Sequence, residues 1–141
     1  DNIAVPALLA TSSLHHFLIK KGLRTKVGLV VETGEARRVH DLCLLAGYGA
    51  EAINPYLAFD TIKSMVSEVN FYDAQKNYIK ASNKALLKIM SKMGISNVSS
   101  YRGSRLYDVV GFSKKMRKMC FSEMHSSIDG LMIFTRRYLL F

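Results

Sequence analysis

Two short apolar runs separated by one helical stretch constrain this chain more than any other feature. Residues 26–32, KVGLVVE, are rich in β-branched and apolar side chains and close at Thr33 and Gly34, the pattern of a buried parallel strand with a turn behind it. From Ala36 onward, Val39, Leu42, Cys43, Leu45 and Ala46 recur at helical spacing, and Gly47 and Gly49 bracket Tyr48 where that helix should close. Residues 51–54, EAIN, then read as a second short strand before Pro55. Strand, helix and strand in succession predict a βαβ unit with a right-handed crossover.

The remainder reads as mostly helical. Pro6 stands at a first helical position, and Leu8, Leu9, Leu14, Phe17 and Leu18 continue an apolar set to about Lys21, where Gly22 stops it. Pro55 opens another helix carrying Leu57, Phe59, Ile62, Met65 and Val66, and the polar residues at 67–70 mark the candidate linker. Residues 74–93 place Tyr78, Ile79, Ala81, Ala85, Leu86, Ile89 and Met90 beside Lys76, Lys80, Lys84 and Lys88, which recur every fourth residue and suggest a helix. Its end stays open: residues 86–90 also suit the first strand of a following barrel, with Gly94 freeing the chain to turn. A polar loop is expected at 96–100, and short helices at 104–110, ended by Gly111, and at 114–121. The fold class is therefore α/β and helix-rich, with a βαβ unit in the first half and partial (β/α) barrel-like units.

With 141 residues, nearly half of them apolar, the chain has enough side chains for the core of one domain or parts of two. Lys20, Lys21, Arg24 and Lys26 interrupt the first greasy stretch well before the roughly 20 apolar residues of a membrane span, so no membrane association is expected. Residues 2–10 lack the order of a secretory signal, and Cys43 and Cys120 form no CxxC, which fits a soluble protein of the reducing cytoplasm. A first residue that is Asp1 and not Met suggests a fragment or a processed product. The net charge of +9 attracts anions, and it concentrates in Lys114, Lys115, Arg117 and Lys118 and in Arg136 with Arg137. No aromatic residues are interleaved in the 114–118 cluster, so a solvated helix face is favoured there over nucleic-acid binding.

The chemically suggestive residues have ordinary explanations. His15, His16, His40 and Cys43 are zinc-ligand types, but adjacent histidines diverge by about 100° on a helix and His40 with Cys43 gives at most two ligands from one face. Packing is favoured for all four. Glu32, Glu35 and Arg37 sit at a strand end where α/β folds often bind ligands, yet a structural role is favoured, with Glu32 or Glu35 capping the next helix. GYGAEA lacks the third glycine of GxGxxG and follows a helix, so it is turn chemistry and not a phosphate loop.

Three longer strings are more specific: VPALLATSSLHHFLIKKGLRTKVGLVVETGEAR at 5–37, AGYGAEAINPYLAFDTI at 46–62 and NYIKASNKALLKIMSKMGIS at 77–96. Together, in this order, and extended by SYRG at 100–103, they closely resemble glutamate synthase large subunits. The likeness weakens over 104–130 and stops before MIFTRRYLLF at 132–141. It implies that residues 1–70 are the C-terminal part of the central domain, 71–131 the start of the FMN-binding synthase domain, and 132–141 a divergent tail. The family transfers glutamine nitrogen to 2-oxoglutarate using FMN and an iron-sulfur cluster, and its partners are the remainder of the enzyme with a small subunit or ferredoxin. No nucleic acid is implied.

By the same resemblance, Met90, Ser91, Lys92, Met93 and Tyr101 are the candidate FMN contacts, since a hydroxyl, a cation and thioethers suit the edge and face of a flavin. No catalytic or metal-binding residue is implied, and the chain alone is expected to hold neither cofactor. Ser104, Arg105 and Leu106 stand where the family reads close to Ala-Gln-Ile, so a glutamine-dependent contact at Arg105 is in doubt. The expected function is a glutamate synthase fragment, inactive alone; the alternative is a stand-alone scaffolding domain derived from this fold.

Overall fold

Pro6, extended at φ −53° and ψ 133°, launches the first helix, α1 (Ala7–Lys20). The computed structural model describes residues 4–104, 106–122 and 124–130. Gly22 adopts φ +67° past the end of α1, and Leu23 N–H reaches back to Leu18 O at 2.9 Å, so a glycine closes the helix as its sequence position suggests. A single 3-10 turn, Arg24–Lys26, then leads to β1 (Val30–Glu32), α2 (Val39–Gly47) and β2 (Ala52–Asn54).

The two strands pair in parallel with Val30 opposite Ala52, Val31 opposite Ile53 and Glu32 opposite Asn54. The βαβ unit is thus present, and the described fold is α/β and rich in helix. β1 is shorter than the expected 26–32. Arg24 accounts for this: its Nη1 donates to Val27 O at 2.8 Å and holds the preceding segment in a turn. Ala36, Leu45 and Ala50 are buried between α2 and the strands, joined by Val31 and Ile53, which form the inner face of the pair.

After Pro55 come α3 (Tyr56–Met65) and α4 (Glu68–Lys92), separated only by Val66 and Ser67. The expected linker at 67–70 is therefore helix from Glu68. Ser67 stands extended at φ −64° and ψ 154° where the helix begins, without a side-chain cap. The open end of this helix, including residues 86–90, resolves as helix to Lys92: Met93 N–H still bonds Ile89 O, and Gly94 at φ +71° ends the run. α4 packs against α2 and α3, with Phe71, Tyr78, Leu86 and Ile89 on its sheltered side.

Two expectations further along are corrected. The polar stretch at 96–100 contains a short helix, α5 (Val98–Tyr101), because the Asn97 side chain accepts the Ser99 N–H at 2.9 Å and caps it. The described part of 104–110 contains no helix. Long-range contacts fix that segment instead: Tyr107 O accepts the Tyr48 hydroxyl at 2.8 Å, and Val109 is buried in a cluster with Tyr48, Met116, Cys120, Phe121 and Met124.

α6 (Lys114–Cys120) is capped by the Ser113 side chain and folds back on α1, where Ser12 donates to Cys120 O at 2.5 Å. Its basic cluster is not uniformly solvated. Lys114, Lys115 and Lys118 are exposed, but Arg117 is buried, donating to Phe112 O at 3.0 Å and Met124 O at 2.9 Å and pairing with Asp129 at 2.9 Å. Burying a cation requires that its donors be satisfied, and these acceptors do so. The tail at 132–141, with Arg136 and Arg137, lies outside the described residues, as does Arg105.

Candidate functional site

At the carboxyl end of the parallel strands, Glu32, Thr33, Gly34, Glu35 and Tyr56 border an open groove of about 510 Å³ that continues beneath α1. Strand ends of this kind are where α/β folds place ligands. Glu35 is occupied structurally: its Oε2 accepts Ala7 N–H at 2.9 Å at the first turn of α1. The cap expected from Glu32 or Glu35 for the following helix is thus corrected, because the fold returns Glu35 to the preceding one. α2 is instead closed by Asp41, whose carboxylate accepts Arg38 N–H at 3.0 Å and the Arg38 side chain at 3.1 Å. Burial pushes the Asp41 carboxyl up, but its bonds from the side chain of Arg38 and from the backbone of Arg38 and Arg37 outweigh this and hold it below the usual range.

At the other end of the strands lies a knot of charge. Arg24 Nε donates to His15 Nδ1 at 2.9 Å, its Nη2 donates to Gly49 O at 3.0 Å, and it pairs with Glu51 at 2.8 Å. Arg102 reaches the same Glu51 oxygen at 3.2 Å. One carboxylate therefore ties the turn after α1, the start of β2 and the end of α5. No sequence spacing announces this cluster, since its members come from four separate segments.

The Glu51 carboxyl is held below its ordinary value of 4.5 chiefly by the Arg24 hydrogen bond, against some desolvation, with the charges of Arg24 and Arg102 adding. A depressed carboxyl contributes stability that is present above its unfolded-state value and lost as pH falls through the folded-state one. Melting temperature should therefore drop as pH falls below about 4.5. In Glu51→Gln that drop should be shallower, with Asp41 supplying what remains; thermal melts from about pH 6 to about pH 3 measure it. Equal slopes in the two proteins would rule the assignment out.

The five residues nominated for flavin contact separate into two groups. Met90 is 2% exposed and Tyr101 is fully buried. The Tyr101 hydroxyl donates to Cys43 O at 3.0 Å and lies 2.9 Å from the Tyr107 hydroxyl, and burial raises its pKa far above that of a free phenol. Ser91, Lys92 and Met93 are exposed at the end of α4, where a helix presents carbonyls and negative partial charge. A flavin phosphate needs converging donors of positive potential. The described residues do not fit a complete FMN cradle.

His40 is exposed and meets Tyr107 edge-on, with ring centroids 5.8 Å apart, while Cys43 is buried and its thiol is pushed up by desolvation. Among the described residues no group of three His, Cys, Asp or Glu side chains stands where it could hold a metal ion. No helix among them is long and apolar enough to cross a membrane.

The family model of the glutamate synthase central domain matches residues 1–113. The chain belongs to the glutamate synthase central-domain family. It is 47% identical over 131 residues to the glutamate synthase [NADPH] large chain of Bacillus subtilis, covering 90% of this chain and 9% of that protein. It is 41% identical over 145 residues to the ferredoxin-dependent glutamate synthase of Antithamnion sp., covering 93% and 9%, and 37% identical over 143 residues to the glutamate synthase [NADH] of Saccharomyces cerevisiae, covering 93% and 7%. The chain thus spans less than a tenth of these glutamate synthases. The central-domain match runs past residue 70, as does α4 without a break.

Proposed function

We propose that this chain serves as the late central-domain portion of a glutamate synthase, a structural element of an enzyme that moves glutamine nitrogen onto 2-oxoglutarate and reduces the product to glutamate. The central-domain match over residues 1–113 is the observation that carries this reading. FMN and the iron-sulfur cluster belong to the larger enzyme, and the partners of this chain are the remainder of that enzyme with its small subunit or ferredoxin. The two buried free cysteines suit a cytoplasmic setting.

The alternation α1, β1, α2, β2, α3 supports a larger (β/α) barrel-like arrangement, in which further strands cover the open edges of a two-stranded sheet that is marginal alone. The junction with the FMN-binding domain falls after residue 113 in this reading, since a boundary at 70 would cut α4 and its packing on α2 and α3. Of the five nominated contacts, Ser91, Lys92 and Met93 form an exposed edge that the flavin domain completes, and Met90 and Tyr101 support it from the core.

The test is direct: purified chain supplied with glutamine, 2-oxoglutarate, FMN and a chemical reductant should form no glutamate above the protein-free blank. Sustained glutamate formation by the chain alone would end the proposal.

A further inference from the structure

The outward side of α4 carries more positive charge than an isolated helix face has reason to hold. Lys76, Lys80, Lys84, Lys88 and Lys92 follow one another at four-residue spacing, all five exposed, and after Asp73 the helix contains no acidic residue. Like charges four apart are neighbours on a helix and oppose it, whereas Glu alternating with Lys would support it. None of the five has an ion-pair partner among the described residues. Lys92 alone is favoured by the helix dipole, because it lies in the last turn.

Apolar side chains stand among these lysines. Tyr72 is 71% exposed, Ile79 45% and Leu87 59%. Leu87 follows Lys84 by three residues and Lys80 by seven, so the three share one strip of surface. The strip from Lys76 to Lys92 is about 24 Å long at the rise of an α-helix. Cations set around a few exposed apolar residues are the counterpart of a carboxylate-rich protein surface with an apolar centre.

We propose that this face of α4 docks an acidic protein surface, with Lys76, Lys80, Lys84 and Lys88 meeting carboxylates and Leu87 and Ile79 covered at the centre. A lipid bilayer is a poorer match, because the apolar side of α4, with Phe71, Tyr78, Leu86 and Ile89, is turned onto the core and is not available for insertion. Nucleic acid is a poorer match as well. The strip has no arginine for phosphate forks and a single aromatic residue for stacking.

The experiment uses the full chain and a fluorescein-labelled peptide of Glu-Glu-Leu repeats, with binding read by anisotropy at physiological salt. Lys80→Gln, Lys84→Gln and Lys88→Gln together should weaken binding by about tenfold, three exposed pairs being lost. Removing equal charge from α6, through Lys114→Gln, Lys115→Gln and Lys118→Gln, should change it less than about twofold. Both triple variants alter exposed side chains only, and circular dichroism checks that each remains folded. Equal weakening by the two variants, or tighter binding to anionic phosphatidylserine vesicles or to a short DNA duplex than to the peptide, would overturn the proposal.

Discussion

Gly49→Ala is expected to destabilise the chain by about 3–5 kcal/mol, enough to unfold much of it if its stability is that of an ordinary domain. Two effects add. Gly49 holds φ +115°, which alanine adopts only with strain, and a Cβ there would overlap His15 at Nδ1 and stand 2.7 Å from its Cγ. His15 has little freedom to withdraw, because it is buried, Arg24 holds it, and Gly103 lies so near its other side that a Cβ added there would stand 3.0 Å from Nε2. Gly22→Ala separates the two effects. Gly22 also has positive φ, but nothing lies within 4 Å of its missing Cβ, so backbone strain alone should cost about 1 kcal/mol. Urea denaturation of both variants measures the difference, and equal losses would show that the His15 contact contributes nothing.

Tyr101→Ala should cost about 3–5 kcal/mol, the usual penalty for emptying a buried aromatic site. Tyr101→Phe should cost about 1–3 kcal/mol, because Cys43 O and the Tyr107 hydroxyl each lose a buried partner while the packing is kept. The burial of Tyr101 makes these losses appear in the chain by itself. If both variants melted with the parent, Tyr101 would not be a support of the fold and a purely cofactor-facing role would regain its force.

The strands and helices that local pattern determines were legible from the residues. Periodic apolar positions, with Pro6 and Gly22 around α1, Gly47 at the end of α2 and Pro55 at the start of α3, were enough for these helices and the parallel pair, because those elements bury a periodic face. What pattern missed depends on distant partners. Segment 104–110 has helical composition, but Tyr48 and the surrounding core draw Tyr107 and Val109 into a non-helical path. Arg117 looks like its neighbouring lysines in sequence, and its bonds to the carbonyls of Phe112 and Met124 and to Asp129 distinguish it.

The candidate site follows the same division. The resemblance nominated Met90, Ser91, Lys92, Met93 and Tyr101 as one group, yet a helix end and a buried tyrosine place them in different surroundings. The carbonyl that the Tyr101 hydroxyl bonds is that of Cys43, 58 residues away, which no local spacing reveals. The Arg24, Glu51 and Arg102 knot went unnoticed for the same reason, although the Gly-Tyr-Gly at 47–49 marked the turn on which it closes.

The central claim is that this chain is a working piece of a glutamate synthase central domain, and a transplant measures it. The matching segment of the Bacillus subtilis large chain is replaced by residues 1–113 of this chain, and glutamate formed from glutamine and 2-oxoglutarate is followed with NADPH as donor. The chimera should keep activity within about tenfold of the parent, as expected where a related scaffold is exchanged without altering groups that act in the transition state. A chimera that folds and assembles like the parent but forms no glutamate would contradict the account.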